Sequence, residues 1–113
     1  MAMTVTFKNS ILDYGATLIT HIGLVDETGT ELSGGGYARQ PITWTSASNG
    51  VIRPVSDLSF SIPASTTVSG WRGYTALSGG TNYGGASLTQ ETFSGQGEYI
   101  LLASGTGISA SDV

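Results

Sequence analysis

The stretch Ser33–Trp44, SGGGYARQPITW, sets a run of glycines before a tyrosine, an arginine, a proline and a tryptophan. Two readings compete for it. A phosphate-binding P-loop places Lys and Ser or Thr directly after its glycines and opens a helix whose N-terminus receives the anion. Here Tyr37 and Ala38 follow the glycines. Ala38, Gln40, Ile42 and Trp44 then alternate with Tyr37, Arg39, Pro41 and Thr43. That is the two-residue period of a strand. The second reading is therefore preferred: Gly34, Gly35 and Gly36 supply left-handed backbone for a bend, and a strand leaves it. Pro41 has no amide proton for a ladder, so the strand is an edge or is interrupted there.

The sequence on either side continues the β pattern. DLSFSIPA is the clearest half-buried strand, with Leu58, Phe60 and Ile62 on one face and Ser59 and Ser61 on the other. ATLITHIGLVD reads as a strand with Leu18, Thr20, Ile22 and Leu24 on one face and Ile19, His21, Gly23 and Val25 on the other. TTVSGWRGYTAL is a strand loosened by Gly70 and Gly73, SGGTNYGG a turn, ASLTQETFSGQG a short strand or loop, and EYILLAS a strong late strand. The glycine-rich turns recur at irregular spacing with different flanks, so they are not repeats. Only FKNSILDYG reads as helix. Phe7, Ile11 and Tyr14 fall at helical spacing and Gly15 is a C-terminal stop. So short a helix is marginal alone and must pack onto something else. Short strands cut by turns, without βαβ alternation, predict a mainly β fold. We expect an antiparallel β-sandwich or barrel-like single domain over residues 1–113, with one short N-terminal helix.

Composition narrows the function. Only 11% of the 113 residues are charged, against about 25% in typical domains. A free monomer relies on surface charge to stay soluble. So neutral a surface is either covered by other subunits or coated with Ser and Thr. The net charge is −4, and Lys8, Arg39, Arg53 and Arg72 are too scattered to form a basic stripe. Nucleic-acid binding is thereby rejected. The chain has no cysteine, which excludes disulfides and thiolate metal sites. No apolar run reaches the roughly 20 residues of a membrane helix, and the N-terminus does not read as a signal peptide. A cytoplasmic origin is expected.

Candidate chemistry is sparse. His21 is the only histidine, and no GxSxG nucleophile elbow occurs. Asp26, Glu27 and Glu31 cluster in DETGTE, a faint echo of a Ca²⁺ loop in an exposed turn. No catalytic residue, metal site or cofactor is expected. Trp71, Tyr74 and Tyr83 suit a carbohydrate-binding module that stacks on sugar rings, and they equally suit packing in a core or a subunit interface. Arg72, between aromatics, suits a cation–π contact or an interface anchor. With Tyr37, Arg39 and Trp44, these form the candidate interface set.

SGGGYARQPITWTSASNGVI, LSFSIPASTTV, WRGYTALSGGTNYGG and ETFSGQGEYIL, in that order, resemble a family of small tailed-bacteriophage virion proteins known as phage tail fibre or minor tail proteins. The resemblance runs from about Gly34 to Leu102. The chain departs from the family at WRGY, where relatives often carry an aromatic-Gly-Leu-Trp run. The resemblance implies a non-enzymatic structural role on a phage particle. The expected partners are copies of the chain itself, in a threefold arrangement, and the major capsid or tail subunits. The position would be that of a capsid decoration or cement protein, or of a collar or fibre component. Localisation would be the virion, after assembly in the host cytoplasm. Either end of the chain, MAMTVTF or GISASDV, is a candidate arm that adds a strand to a neighbour. The rival expectation is the carbohydrate-binding adhesion module acting on host glycans.

Overall fold

Thr4 starts the first element. Its hydroxyl accepts the amide of Phe7 at 3.2 Å, the usual work of an N-cap threonine. In the computed structural model, which describes residues 3–110, helix α1 then spans Val5–Leu18. It runs through Gly15 rather than stopping there, and the Ile19 amide closes the last turn on the Gly15 carbonyl at 3.2 Å. Ala16–Leu18, expected to be strand, are therefore helical. The end is set by Ile19, which is buried in the core and draws the chain into the sheet.

The strands that follow are β1 (His21–Val25), β2 (Gln40–Pro41), β3 (Val51–Ile52), β4 (Leu58–Ile62), β5 (Thr66–Tyr74), β6 (Asn82–Phe93), β7 (Gly97–Leu101) and β8 (Ile108–Ser109). Among the described residues all pairings between these strands are antiparallel. They form a four-stranded sheet in the order β2-β1-β5-β6 and two pairs, β4-β7 and β3-β8. The large sheet has open edges at β2 and β6, so the fold is a mainly β, open sandwich-like domain and not a closed barrel.

Leu58, Phe60 and Ile62 of β4 point inward as the alternation predicts, with Ser59 and Ser61 outward. They meet Ile22, Leu24, Val68, Trp71 and Leu101 in one core. Burial of such side chains contributes about 1.5–3 kcal/mol each. Pro41 sits in the edge strand β2, and beyond it Trp44 pairs singly with Pro54.

The strand β6 is longer than expected. Asn82–Gly85, read as turn, belong to it, and the ladder to β5 shifts register between Val68 and Gly70 and again between Arg72 and Tyr74. Both shifts insert extra residues into β6, which is how bulges bend an edge. At Gly85 the backbones come so close that an added Cβ would collide with the Trp71 carbonyl oxygen. Ten of the twelve residues of β6 are exposed, so no apolar alternation marks it in the sequence.

The two chain ends considered as strand-donating arms are partly committed within the fold. Val5–Phe7 open α1, and Ile108–Ser109 form β8 against β3. Residues 1–2 and 111–113 lie outside the described residues.

Candidate functional site

The bend at Gly34–Gly36 has φ values of 83°, 62° and 81°, the left-handed region that glycine adopts at little cost. Gly35 also lies against Pro63, so close that a Cβ would sit 2.7 Å from the Pro63 Cα. The Tyr37 amide donates to the Gly34 carbonyl at 3.0 Å. The bend thus turns Tyr37 and Arg39 back onto β1, and no helix follows it to receive an anion.

Tyr37 completes an edge that β2 leaves unfinished. The ladder from β1 to β2 covers only His21 and Ile22. Two residues on, the Leu24 amide donates to the Tyr37 hydroxyl at 2.9 Å. That hydroxyl in turn donates to Glu31 Oε2 at 2.8 Å. Arg39 closes the cluster. Its Nε and Nη2 donate to the two Glu31 oxygens, each at 2.9 Å, the bidentate geometry that makes such pairs strong. Its Nη1 donates to the carbonyls of Ala76 and Gly79 at 2.9 and 2.8 Å. The guanidinium carbon lies 3.5 Å from the centroid of the Tyr74 ring, a cation–π contact. Gly23 makes the room: a Cβ there would lie 2.7 Å from the Tyr37 hydroxyl, and 2.8 Å from both Glu31 Oε2 and the Tyr74 ring.

The electrostatics follow from this geometry. Partial burial pushes the Glu31 carboxyl upward, but the hydrogen bonds from Arg39 and Tyr37 outweigh it and hold it below its ordinary value. Burial, reinforced by the neighbouring Glu31, raises the Tyr37 phenol well above its usual range. The hydrogen bonds to Glu31 raise Arg39 further. Burial also raises Tyr74. Glu31 stays ionised, Tyr37 stays protonated and Arg39 stays charged. A cleft of about 340 Å³ borders Glu31, Tyr37 and Arg39, yet these groups point their polar atoms at one another. The cluster is a clamp. It fixes the 31–39 segment to β1 and to the loop between β5 and β6.

The other candidates are dispersed. Trp71 belongs to the core at 3% exposure, and Tyr74 is 5% exposed. Trp44 is half-buried and donates its indole N–H to the Ile19 carbonyl at 2.9 Å. Arg72 is half-buried and donates to the Trp71 carbonyl at 2.8 Å. Tyr83 is exposed and borders a cleft of about 310 Å³ with Ile19, Trp71 and Ile108. Trp71, Tyr74 and Tyr83 therefore present no common flat platform to solvent.

Residues 26–30 of the DETGTE segment form a self-contained turn, and Glu31 leaves it for the clamp. Asp26 Oδ1 accepts the amides of Thr28 and Thr30 at 2.9 and 3.0 Å and the Thr28 hydroxyl at 2.7 Å. The Thr28 hydroxyl leads the hydrogen bonds that lower the Asp26 pKa. Among the described residues no three His, Asp or Glu side chains gather as metal ligands, and no helix is long and apolar enough to cross a membrane. His21 Nδ1 lies 2.9 Å from the Thr20 hydroxyl.

What sequence reasoning missed lies on α1. The polar side chains of Asn9 and Asp13 turn to the 47–50 segment, where they accept the amides of Gly50 and Ala47 at 2.9 and 2.8 Å. Leu12 is buried beside them. Phe7, Ile11 and Tyr14, whose spacing marked the helix, are 49%, 44% and 67% exposed. The helix spacing held the signal for this stripe, but not for its direction. Comparison with protein-family models, curated proteins and solved structures found no match.

Proposed function

We propose that this chain is a non-enzymatic structural protein of a tailed-bacteriophage virion. It associates with copies of itself and with shell or tail subunits on the outside of the particle, as a decoration or cement protein or as a tail-associated component. It would be assembled in the host cytoplasm and carried in the virion. The reading draws on the ordered resemblance from Gly34 to Leu102 and on the low charge of the chain.

The observation that carries it is the unpartnered surface. Phe7, Ile11 and Tyr14 leave an apolar stripe on α1 in solvent, and contiguous apolar patches on monomers mark interaction sites. The long edge strand β6 contains no Lys, Arg or Pro, residues that commonly guard an edge against pairing. Its bulges and the single carboxylate of Glu91 are what guard it. The charged groups of the Glu31–Arg39 cluster, by contrast, neutralise one another. Contacts of modest strength repeated over a symmetric particle sum to firm attachment.

Mixing the purified chain with phage particles that lack it, followed by sedimentation, tests the reading. The chain is expected to pellet with the particles, saturably, and to resist washing. A chain that stays in the supernatant with both heads and tails overturns the proposal.

A further inference from the structure

The Ser48–Val51 segment, SNGV, closes a two-residue hairpin. The amides of Ser48 and Val51 each donate to the other's carbonyl at 3.0 Å. Asn49 and Gly50 have φ values of 52° and 74°, the mirror-image turn that Asn-Gly favours. Three elements meet at this turn. The Gly50 amide donates to Asn9 Oδ1 of α1 at 2.9 Å. The Gly50 carbonyl accepts the amide of Ala110, just past β8, at 3.1 Å. A Cβ on Gly50 would lie 3.4 Å from the Lys8 side chain. Gly50 is buried and Asn49 is exposed. Among the described residues the Asn49 carboxamide makes no hydrogen bond.

Asparagine is a thermolabile residue, most of all before glycine, whose nitrogen no side chain screens. The Gly50 nitrogen gives up its proton and bonds to Asn49 Cγ. The Cγ–Nδ2 bond breaks, and Nδ2 leaves as ammonia with that proton. The product is a five-membered succinimide. Water then opens the ring at one of its two carbonyls and leaves an aspartyl or an isoaspartyl residue. An amide and water become an acid and ammonia, so neither an oxidant nor an enzyme is needed. Ring closure requires the Gly50 nitrogen to lie in plane with Cα and Cβ of Asn49, and the left-handed turn holds it out of that plane. The bond to Asn9 holds the turn. Reaction therefore waits on local opening, and the population of the opened turn sets its rate.

We propose that Asn49 is a spontaneous deamidation site gated by Asn9, and that its conversion unfastens α1 and the end of β8 from the turn. An isoaspartyl link adds one carbon to the main chain between Asn49 Cα and the Gly50 nitrogen. Gly50 then cannot keep its amide on Asn9 and its carbonyl on Ala110 together. This chemistry is independent of the virion role.

The test uses the full-length protein, incubated in mildly alkaline buffer both native and in urea. Anion exchange resolves converted chains, since each event adds one negative charge, and peptide mapping by mass spectrometry locates them. Position 49 is expected to convert ahead of Asn9 and Asn82, which precede Ser10 and Tyr83, and to convert faster in urea than in the native state. Asn9→Ala, with circular dichroism confirming its fold, is expected to convert about fivefold faster when native, the factor that one net hydrogen bond contributes. In urea it should match the wild type. Asn49→Gly, which suits the left-handed turn, should gain no charge there. Hydrogen exchange on the purified isoaspartyl form is expected to quicken in α1 and at residues 108–110 while β4 and β7 keep their protection. Earlier conversion at another asparagine, or equal rates for the native and urea-unfolded wild type, overturns the site or its gate. So does a folded Asn9→Ala that converts no faster than the wild type. An isoaspartyl form that exchanges like the unconverted protein overturns the unfastening. Should Asn9→Ala not fold, the native-against-urea comparison and the exchange measurement on wild-type chains still decide.

Discussion

Gly23 and Arg39 show how few residues hold the decisive bend in place. Glu31 is only partly buried and Arg39 nearly so, with side-chain exposures of 26% and 10%. Removing one member of a buried pair leaves the other charge uncompensated, at 3–5 kcal/mol when burial is complete. Partial exposure reduces that figure. Arg39→Ala is thus expected to lower unfolding free energy by about 2–3 kcal/mol in urea denaturation. Arg39→Lys recovers less than half, because an ammonium cannot make the bidentate contact. The pH dependence has a definite sign. The carboxyl of Glu31 is held below its ordinary 4.5, so its contribution is complete above about that pH and is lost as pH falls through the depressed value. The melting temperature of the wild type is expected to drop on acidification below that point. Glu31→Gln flattens part of this limb, and Asp26, also lowered from its ordinary value of 3.8, retains the remainder. A Glu31→Gln profile parallel to the wild type would show that the clamp is not ionised as described. The bend was legible in the sequence because the glycines and the period-two run after them are local signals. The clamp was not. Glu31 and Arg39 are eight residues apart and meet only because the chain folds back over Gly23, so Glu31 read as part of an exposed turn with Asp26 and Glu27.

At the scale of elements, α1 and β6 depart from what their sequences suggest, for different reasons. Gly15 resembles a helix stop, but the helix passes through it. An added Cβ at Gly15 meets nothing within 4 Å, and its backbone is not left-handed. Replacing an interior helical glycine by alanine lowers the entropy lost on folding and is worth about 0.5–1 kcal/mol. Gly15→Ala is therefore expected to raise thermal stability by a few degrees. A loss of stability would mean that Gly15 caps the helix after all. β6 read only as a short strand or loop, because exposure of both its faces erases the alternation on which strand recognition depends. β4 was plain because one of its faces is core and the other water. The apolar spacing of α1 was equally plain, yet periodicity locates a stripe without saying which body covers it. The hold of Asn9 and Asp13 on the 47–50 segment depends on contacts more than 30 residues apart in the chain.

Over the whole molecule, the protein measures 48 × 24 × 23 Å. The core lies between β4 and the inner face of the large sheet, while α1 and β6 carry surface that the fold itself does not cover. The mainly β class followed from turns and alternation alone. Which surface would meet a neighbour depends on the finished shape, and the expectation of neighbours rested on the low charge of the chain and on the resemblance from Gly34 to Leu102. In the proposed role the protein acts through area hidden against other subunits and through no reactive group. Counting it against the major shell subunit in purified, extensively washed virions, by quantitative mass spectrometry, tests that most directly. A fixed, reproducible ratio is predicted: many copies for a shell ornament, or a small constant number for a tail component. Virions that contain none of it would contradict the account.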